Sequence, residues 1–132
     1  MIAVGEHLLG PLEDREIRMT TAFAGGIGGT YRGNCGAFSA GVMILGGLYG
    51  RSSSDEDDQD CQDLAEKYRE RFVKRFEYLN CGELREQKFG SGREQPCSVL
   101  VKEASKILIG VIEEYQSTQH LGESRGQKDG KS

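Results

Sequence analysis

The chain has 132 residues, which is enough for one domain with a single hydrophobic core. Its net charge of −4 and its lack of a basic stripe argue against nucleic acid as a partner. The longest uncharged stretch, residues 33–50, is too glycine-rich and slightly too short for a membrane span, so we expect no membrane partner. No signal-peptide pattern is visible, and we therefore expect a cytoplasmic protein.

Two short helices are predicted before the first glycine-rich stretch. Residues 1–9 have the apolar content of the end of a helix, and Gly10-Pro11 follows them as a breaker. Residues 13–23 predict a second helix, because acidic residues favour its start and Gly25 and Gly26 favour its end.

The central stretch is a glycine-rich loop, residues 25–33, followed by residues 35–49, which are small or apolar and carry no charge. An uncharged helix without a polar face has to be buried. Asn34 is a preferred N-cap residue, so this helix should begin at Cys35. Its glycines permit close helix packing, but each glycine lowers helix stability by about 1 kcal/mol relative to alanine. We therefore expect the rest of the fold to pack around it.

The second half of the chain predicts three more helices after an acidic linker, residues 51–60. Residues 61–79 carry apolar side chains every three or four positions, with charges on the other face. Residues 81–86 predict a short helix capped by Asn80, and residues 88–94 a loop. Residues 96–115 predict the last helix, with Pro96 in its first position.

These elements predict an all-α fold, a small helical bundle around a buried glycine-rich central helix. We expect residues 1–116 to form a single helical domain. Residues 117–132 have almost no hydrophobic side chain, so we expect a disordered C-terminal tail.

Three of the four cysteines are predicted in the first turn of a helix: Cys35, Cys81 and Cys97. Free N–H groups and the helix dipole stabilise a thiolate there and lower its pKa. No C-x-x-C pair occurs, and the spacing leaves open whether these residues are reactive or small, buried core residues. Cys61 lies close to an apolar helix face, which favours a core or linker-edge thiol.

The glycine-rich loop admits two interpretations. Its N–H groups beside Cys35 would donate to sulfur or to an anion such as a nucleotide phosphate, or the loop is a turn between packed helices. It does not match the G-x-G-x-x-G register, and no strand signal precedes it. Arg32 is the candidate for a positive charge near Cys35, whereas His7 and His120 are poor ligand candidates.

The motifs Gly25-Gly26-Ile27-Gly28-Gly29, Cys35-Gly36-Ala37 and Gly46-Gly47-Leu48-Tyr49-Gly50-Arg51 resemble the C_GCAxxG_C_C family, small bacterial and archaeal proteins described as redox-active. The resemblance continues through Cys81 and Cys97 and covers about residues 2–114.

The resemblance implies that Cys35, Cys81 and Cys97 are three of the family's four characteristic cysteines. They would act together, either as redox cysteines that exchange a disulfide or as metal ligands for an iron–sulfur cluster or another metal.

The chain departs from the family pattern at two places. Ala40 stands where the motif has its closing glycine, with Gly41 one place later. The family's first cysteine lies upstream of the segment that residues 2–9 resemble, so we expect that Met1 is an internal start of a longer protein or that one ligand has been lost. Three ligands leave a metal site open, which favours the disulfide version.

We therefore predict a redox-active protein that works with a redox partner protein. The alternative is a non-catalytic helical interaction or assembly protein with structural cysteines, which predicts a stable homo-oligomer, no metal and inert thiols. Anion or nucleotide binding at the glycine-rich loop is the third hypothesis.

Overall fold

The computed structural model describes residues 1–87, 89–90 and 96–129, and this part of the chain is all-α. Its helices are α1 Ile2–Leu9, α2 Asp14–Thr20, α3 Gly36–Tyr49, α4 Gln59–Phe76, α5 Cys81–Gln87 and α6 Cys97–Asp129. A 3-10 turn, Thr21–Phe23, follows α2. The prediction of an all-α helical bundle is confirmed.

The core lies between α3, α4 and α6. Phe38 of α3 stacks on Tyr68 of α4 at 5.4 Å between ring centroids and meets Phe72 edge-on at 5.2 Å. Offset-stacked and edge-on aromatic pairs add about 0.5–1.5 kcal/mol each beyond their buried area. The side chains with less than 2% exposure are Leu45, Tyr68, Phe72, Leu108, Val111 and Ile112. All of these except Leu45 were predicted from the three- and four-residue apolar spacing of α4 and α6.

The central helix α3 packs closely against α4 at Gly41. A Cβ atom at this position would lie 2.6 Å from the Tyr68 hydroxyl oxygen, so only glycine leaves room for the phenol ring. The tyrosine hydroxyl donates to the Ala37 carbonyl at 3.4 Å. The central helix is not buried along its whole length, because Gly46 and Gly47 near its end are exposed.

Helix α4 begins two residues earlier and ends three residues earlier than predicted. The side chain of Asp57 accepts a hydrogen bond from the Gln59 N–H at 2.9 Å and so supports the earlier start. Glu77 has a φ of +71°, a left-handed conformation that ends the helix after Phe76. Leu79 is thereby released from the helix for the backbone pairing described below.

Helix α6 begins at Cys97, one residue after the predicted first position, and Pro96 precedes it. It continues through residues 117–129, for which the sequence predicts disorder. Extending an existing helix needs no new nucleus, so a polar sequence can continue it without packing. Residues 130–132 and most of the predicted loop 88–94 lie outside the described residues.

The packing at Gly41 predicts opposite effects for two alanine substitutions in α3. Gly41→Ala should lower the free energy of unfolding by about 1–3 kcal/mol, because the new methyl group overlaps Tyr68. Gly46→Ala is the matched control, since nothing lies within 4 Å of its Cβ position. It should raise stability by up to about 1 kcal/mol through helix propensity. Urea unfolding of both variants measures the difference, and equal effects would contradict the packing.

Candidate functional site

A short backbone pairing brings Cys35 and Cys81 together. Asn34 and Asn80 form an isolated antiparallel bridge. The Cys35 N–H donates to the Leu79 carbonyl at 2.6 Å, and the Cys81 N–H donates to the Gly33 carbonyl at 2.9 Å. Cys35 therefore lies diagonally opposite Cys81, a relation in which Cα atoms are about 7–8 Å apart. The starts of α3 and α5 are thus tied to each other, although 46 residues separate the two cysteines.

The glycine-rich loop caps the start of α5. The Tyr31 carbonyl accepts the Gly82 N–H at 2.8 Å, and the Arg32 carbonyl accepts the Asn80 side-chain amide at 2.7 Å. Asn80 in turn accepts the Glu83 N–H at 3.1 Å, which is the predicted cap. These bonds satisfy N–H groups that the first turn of a helix leaves without intrahelical partners.

The loop reaches this position through an unusual backbone conformation. Residues 25–29 all have positive φ, and Tyr31 has a φ of +60°. Ile27, at +70°, is β-branched, and left-handed conformations cost such residues about 1–2 kcal/mol. Gly26 also packs directly on the site, since a Cβ atom there would lie 2.6 Å from the Cys81 Cβ.

Most N–H groups of the loop are engaged within its own backbone, which disfavours the interpretation that they donate to sulfur or to an anion. The N–H groups of residues 27–31 and of Gly33 all donate to backbone carbonyls within residues 22–27. The Arg32 N–H faces the Thr30 hydroxyl at 3.3 Å. The loop is instead a structural turn between packed helices, which was the alternative interpretation.

Cys35, Cys81 and Cys97 line one cavity of about 500 Å³. Helices α1, α2, α3, α5 and α6 all contribute to its walls, which are mostly apolar. The apolar lining side chains include Leu9, Leu12, Phe23, Ile44, Leu84 and Leu100. Cys97 is exposed, whereas Cys35 and Cys81 are half-buried. The structure thus places the three predicted cysteines in the lining of one mostly apolar cavity.

Cys35 is the N-cap of α3 rather than a residue of its first turn. Burial raises the pKa of its thiol, and the N–H groups of Phe38 and Ala37 partly oppose this by stabilising the thiolate. Charge on Cys81 or Cys97 raises the pKa further. The prediction of a lowered pKa at Cys35 is therefore wrong, because desolvation exceeds the effect of the helix start.

Cys81 has a cation beside it. The pKa of the Cys81 thiol is nevertheless raised, because burial and then charge on Cys97 raise it by more than the Arg85 guanidinium lowers it. The prediction of a lowered pKa is therefore wrong at Cys81 as well. Arg85 lies one helical turn after Cys81 in α5, where residues four apart share a face. Arg32, the predicted cation, contributes its backbone carbonyl to the cap of α5 instead.

The remaining candidates lie elsewhere. Cys61 does not line the cavity, and its thiol faces the Leu45 carbonyl at 3.9 Å, between α4 and α3. Burial and the nearby Asp58 carboxylate raise the pKa of this thiol. His7 and His120 are exposed and do not line the cavity either.

The three cysteines do not form a ready metal site. Within residues 1–87, 89–90 and 96–129, no three side chains of Cys, His, Asp or Glu lie close enough together to hold a metal ion. An iron–sulfur cluster or metal therefore does not fit the donor geometry as it stands.

The family model described as "Putative redox-active protein (C_GCAxxG_C_C)" matches residues 1–111. The chain belongs to this family. That finding supports the general redox prediction and the resemblance on which it rests. No curated protein and no solved structure matches the chain significantly. None of the helices in the described part of this family member is both long and apolar enough to cross a bilayer.

Two residues near the cysteines were missed in the sequence. Tyr68 lies in the core, as predicted, but its hydroxyl also donates to the carbonyl of Ala37, two residues after Cys35. Burial and then charge on Cys35 raise the pKa of its phenol. Arg85 had a usable signal, because it follows Cys81 by four residues in a predicted helix. No sequence signal connects Tyr68 to Cys35, since 33 positions separate them.

The close contact of Gly26 with Cys81 predicts different outcomes for two loop variants. Gly26→Ala and Gly28→Ala both place alanine at a positive φ, +68° and +62°, and should each cost about 1–2 kcal/mol of stability. Gly26→Ala should cost about 1–3 kcal/mol more because its methyl group overlaps the Cys81 Cβ.

Gly26→Ala should also change the rate at which iodoacetamide alkylates Cys81, measured by peptide mass spectrometry. Gly28→Ala is the control, because its Cβ position has nothing within 4 Å. The same stability loss and the same Cys81 alkylation rate in both variants would show that the loop does not hold Cys81 in place.

Proposed function

We propose that this chain is a thiol–disulfide redox protein whose centre consists of Cys35, Cys81 and Cys97. The observation that supports the proposal is that these three of the four cysteines line one apolar cavity, whereas Cys61 does not. Apolar surroundings favour the neutral thiol over the thiolate, so a thiol needs a local charge to become a nucleophile. Arg85 provides such a charge beside Cys81.

The reaction is an exchange between two protein thiols and an acceptor disulfide. The Cys81 thiolate attacks one sulfur of the acceptor, the acceptor S–S bond breaks, and its other sulfur leaves as a thiolate that takes up a proton. A second protein thiol then loses its proton and attacks the Cys81 sulfur of the mixed disulfide. The acceptor sulfur bound to Cys81 leaves as a thiol, so the acceptor disulfide ends as two thiol groups. The chain is oxidised by two electrons and the acceptor is reduced by two.

Of the three pairs that three cysteines allow, the proposal takes the two that contain Cys81, because the Arg85 guanidinium lies beside this cysteine. Its backbone is paired with the segment that carries Cys35, and charge on Cys97 raises its pKa. Closing a bond to Cys35 from a Cα separation of about 7–8 Å requires a small backbone movement, because disulfides normally span 4.4–6.8 Å. Exposed Cys97 is the alternative partner.

The compartment, the redox partner and the metal content belong to the same proposal. A reducing compartment such as the cytoplasm would keep the thiols available, and a redox partner protein would renew them. An iron–sulfur cluster or another metal would need the three sulfurs to draw together. Metal and sulfide analysis of anaerobically purified protein distinguishes that version, since bound iron lost with Cys81→Ser would favour the cluster over disulfide exchange.

Single Cys→Ser variants test the assignment. The reduced wild type has four thiols and should lose two on treatment with diamide, and dithiothreitol should restore them. Cys81→Ser should abolish this reversible loss, because the proposal assigns the attacking thiolate to Cys81 and forms no bond between Cys35 and Cys97. Cys61→Ser is the matched control and should lose two of its three remaining thiols.

Thiol counting with Ellman's reagent under denaturing conditions gives the numbers, and peptide mapping identifies the bonded pair. A reversible disulfide that contains Cys61, or unchanged oxidation of Cys81→Ser, would overturn the proposal. Thiols that remain inert in every variant would favour the structural interpretation of the cysteines.

A further inference from the structure

We propose that the cavity takes a small apolar disulfide that carries one anionic group, with the anion held by Arg85 and the disulfide presented to Cys81. This inference rests on the proposed thiol–disulfide function and names the class of its acceptor. It follows from the size and chemistry of the cavity and from the place of its charges.

The cavity has the dimensions and lining of a small-molecule site. Its volume of about 500 Å³ lies within the usual range of ligand pockets, about 300–1,000 Å³. Side chains such as Ile17 from α2, Met43 from α3 and Val101 from α6 give it apolar walls. A ligand with an apolar body buries surface against such walls, whereas a polar peptide disulfide would lose its hydration there.

The described lining has two charged side chains, Arg85 and Glu16, and it also includes Met1, which carries the α-ammonium group of this chain. The Glu16 carboxylate is already engaged, since it accepts the Glu13 N–H at 2.9 Å in the capping box of α2. Arg85 makes no ion pair with any residue that the structure describes. The described lining therefore combines apolar walls with one cationic side chain, Arg85.

Arg85 is held in place for this contact. Its Cζ atom lies 4.3 Å from the centroid of the Tyr31 ring, a cation–π arrangement. Its side chain also passes next to Gly90, where a Cβ atom would lie 3.1 Å from the guanidinium Nη1. A fixed guanidinium binds a carboxylate through two parallel hydrogen bonds.

The spacing between Arg85 and Cys81 sets the length of the ligand. Residues four apart on a helix have Cβ atoms about 5–6 Å apart, so the anion and the attacked sulfur are separated by a short alkyl chain. In the exchange, the Cys81 thiolate forms a bond to one ligand sulfur and the ligand S–S bond breaks. The second protein thiol completes the protein disulfide, and the ligand leaves as a dithiol.

Lipoate and lipoamide are the probes that test this inference. Both have the same alkyl body and cyclic disulfide, and they differ in the presence or absence of the terminal negative charge. The measured quantity is the ratio of the rates at which the two probes oxidise the reduced chain. This ratio cancels any effect of a variant on the pKa of Cys81, which acts on both reactions.

Wild type should react about tenfold faster with lipoate than with lipoamide at low probe concentration, the size expected for one charge-assisted contact. Arg85→Gln should bring the ratio close to one, and Arg85→Lys should keep part of the preference. Arg69→Gln is the matched control, because Arg69 is exposed on α4 and does not line the cavity. It should leave the ratio unchanged.

The outcomes separate this inference from the proposed function. A ratio near one in wild type, or an unchanged ratio in Arg85→Gln, overturns the proposed class of acceptor. If hydroxyethyl disulfide still oxidises Cys81 in that case, the proposed thiol–disulfide function stands. If no disulfide oxidises the chain reversibly, both proposals fail. A stable dimer in which neither probe reaches Cys81 would show that a second copy covers the cavity, and it would also overturn the inference.

Discussion

The pairing of residues 31–35 with residues 79–82 is the constraint on which the candidate site depends. Three backbone hydrogen bonds, from the N–H groups of Cys35, Cys81 and Gly82, join the segments before α3 and at the start of α5. Both cysteines are part of this pairing, since their own N–H groups donate in it. Their residues therefore line the same cavity without a local cysteine motif. Helix α6 adds Cys97 to the wall by packing along α3 and α4. The proposed centre is thus one that tertiary structure would assemble without a C-x-x-C pair.

The glycines before α3 serve this pairing through their backbone geometry. Residues 25–29 follow a left-handed course that turns the carbonyls of Tyr31 and Gly33 toward the N–H groups of α5. A side chain at Gly26 would overlap Cys81. Ile27 and Tyr31 also have left-handed conformations, although neither is glycine. Each such residue lowers the stability of the fold by about 1–2 kcal/mol. The loop holds a cysteine in position rather than offering free N–H groups to a ligand.

The sequence predicted those features that depend on local pattern. The apolar spacing of α4 and α6 identified most of the core, and Asn80 was recognised as a cap. The handedness of the glycine-rich loop was not predictable, because it depends on partners some 50 residues away. The low pKa expected for Cys35 and Cys81 was wrong, because burial is a property of the folded state and outweighs the effect of the helix start. The charge beside Cys81 comes from Arg85, which follows it by four residues in the sequence. Closeness in sequence to Cys35 favours Arg32 as the cation instead, and this signal was misleading.

The central claim is that Cys35, Cys81 and Cys97 face one another across a single cavity in the native protein. Dibromobimane measures this directly, since it becomes fluorescent when both of its arms have alkylated neighbouring thiols. Treatment of the reduced, folded chain should give fluorescent cross-links between Cys81 and either Cys35 or Cys97, identified by peptide mapping, and Cys61 should carry only single additions. Cross-links that involve Cys61, or single additions at all four cysteines, would contradict the account.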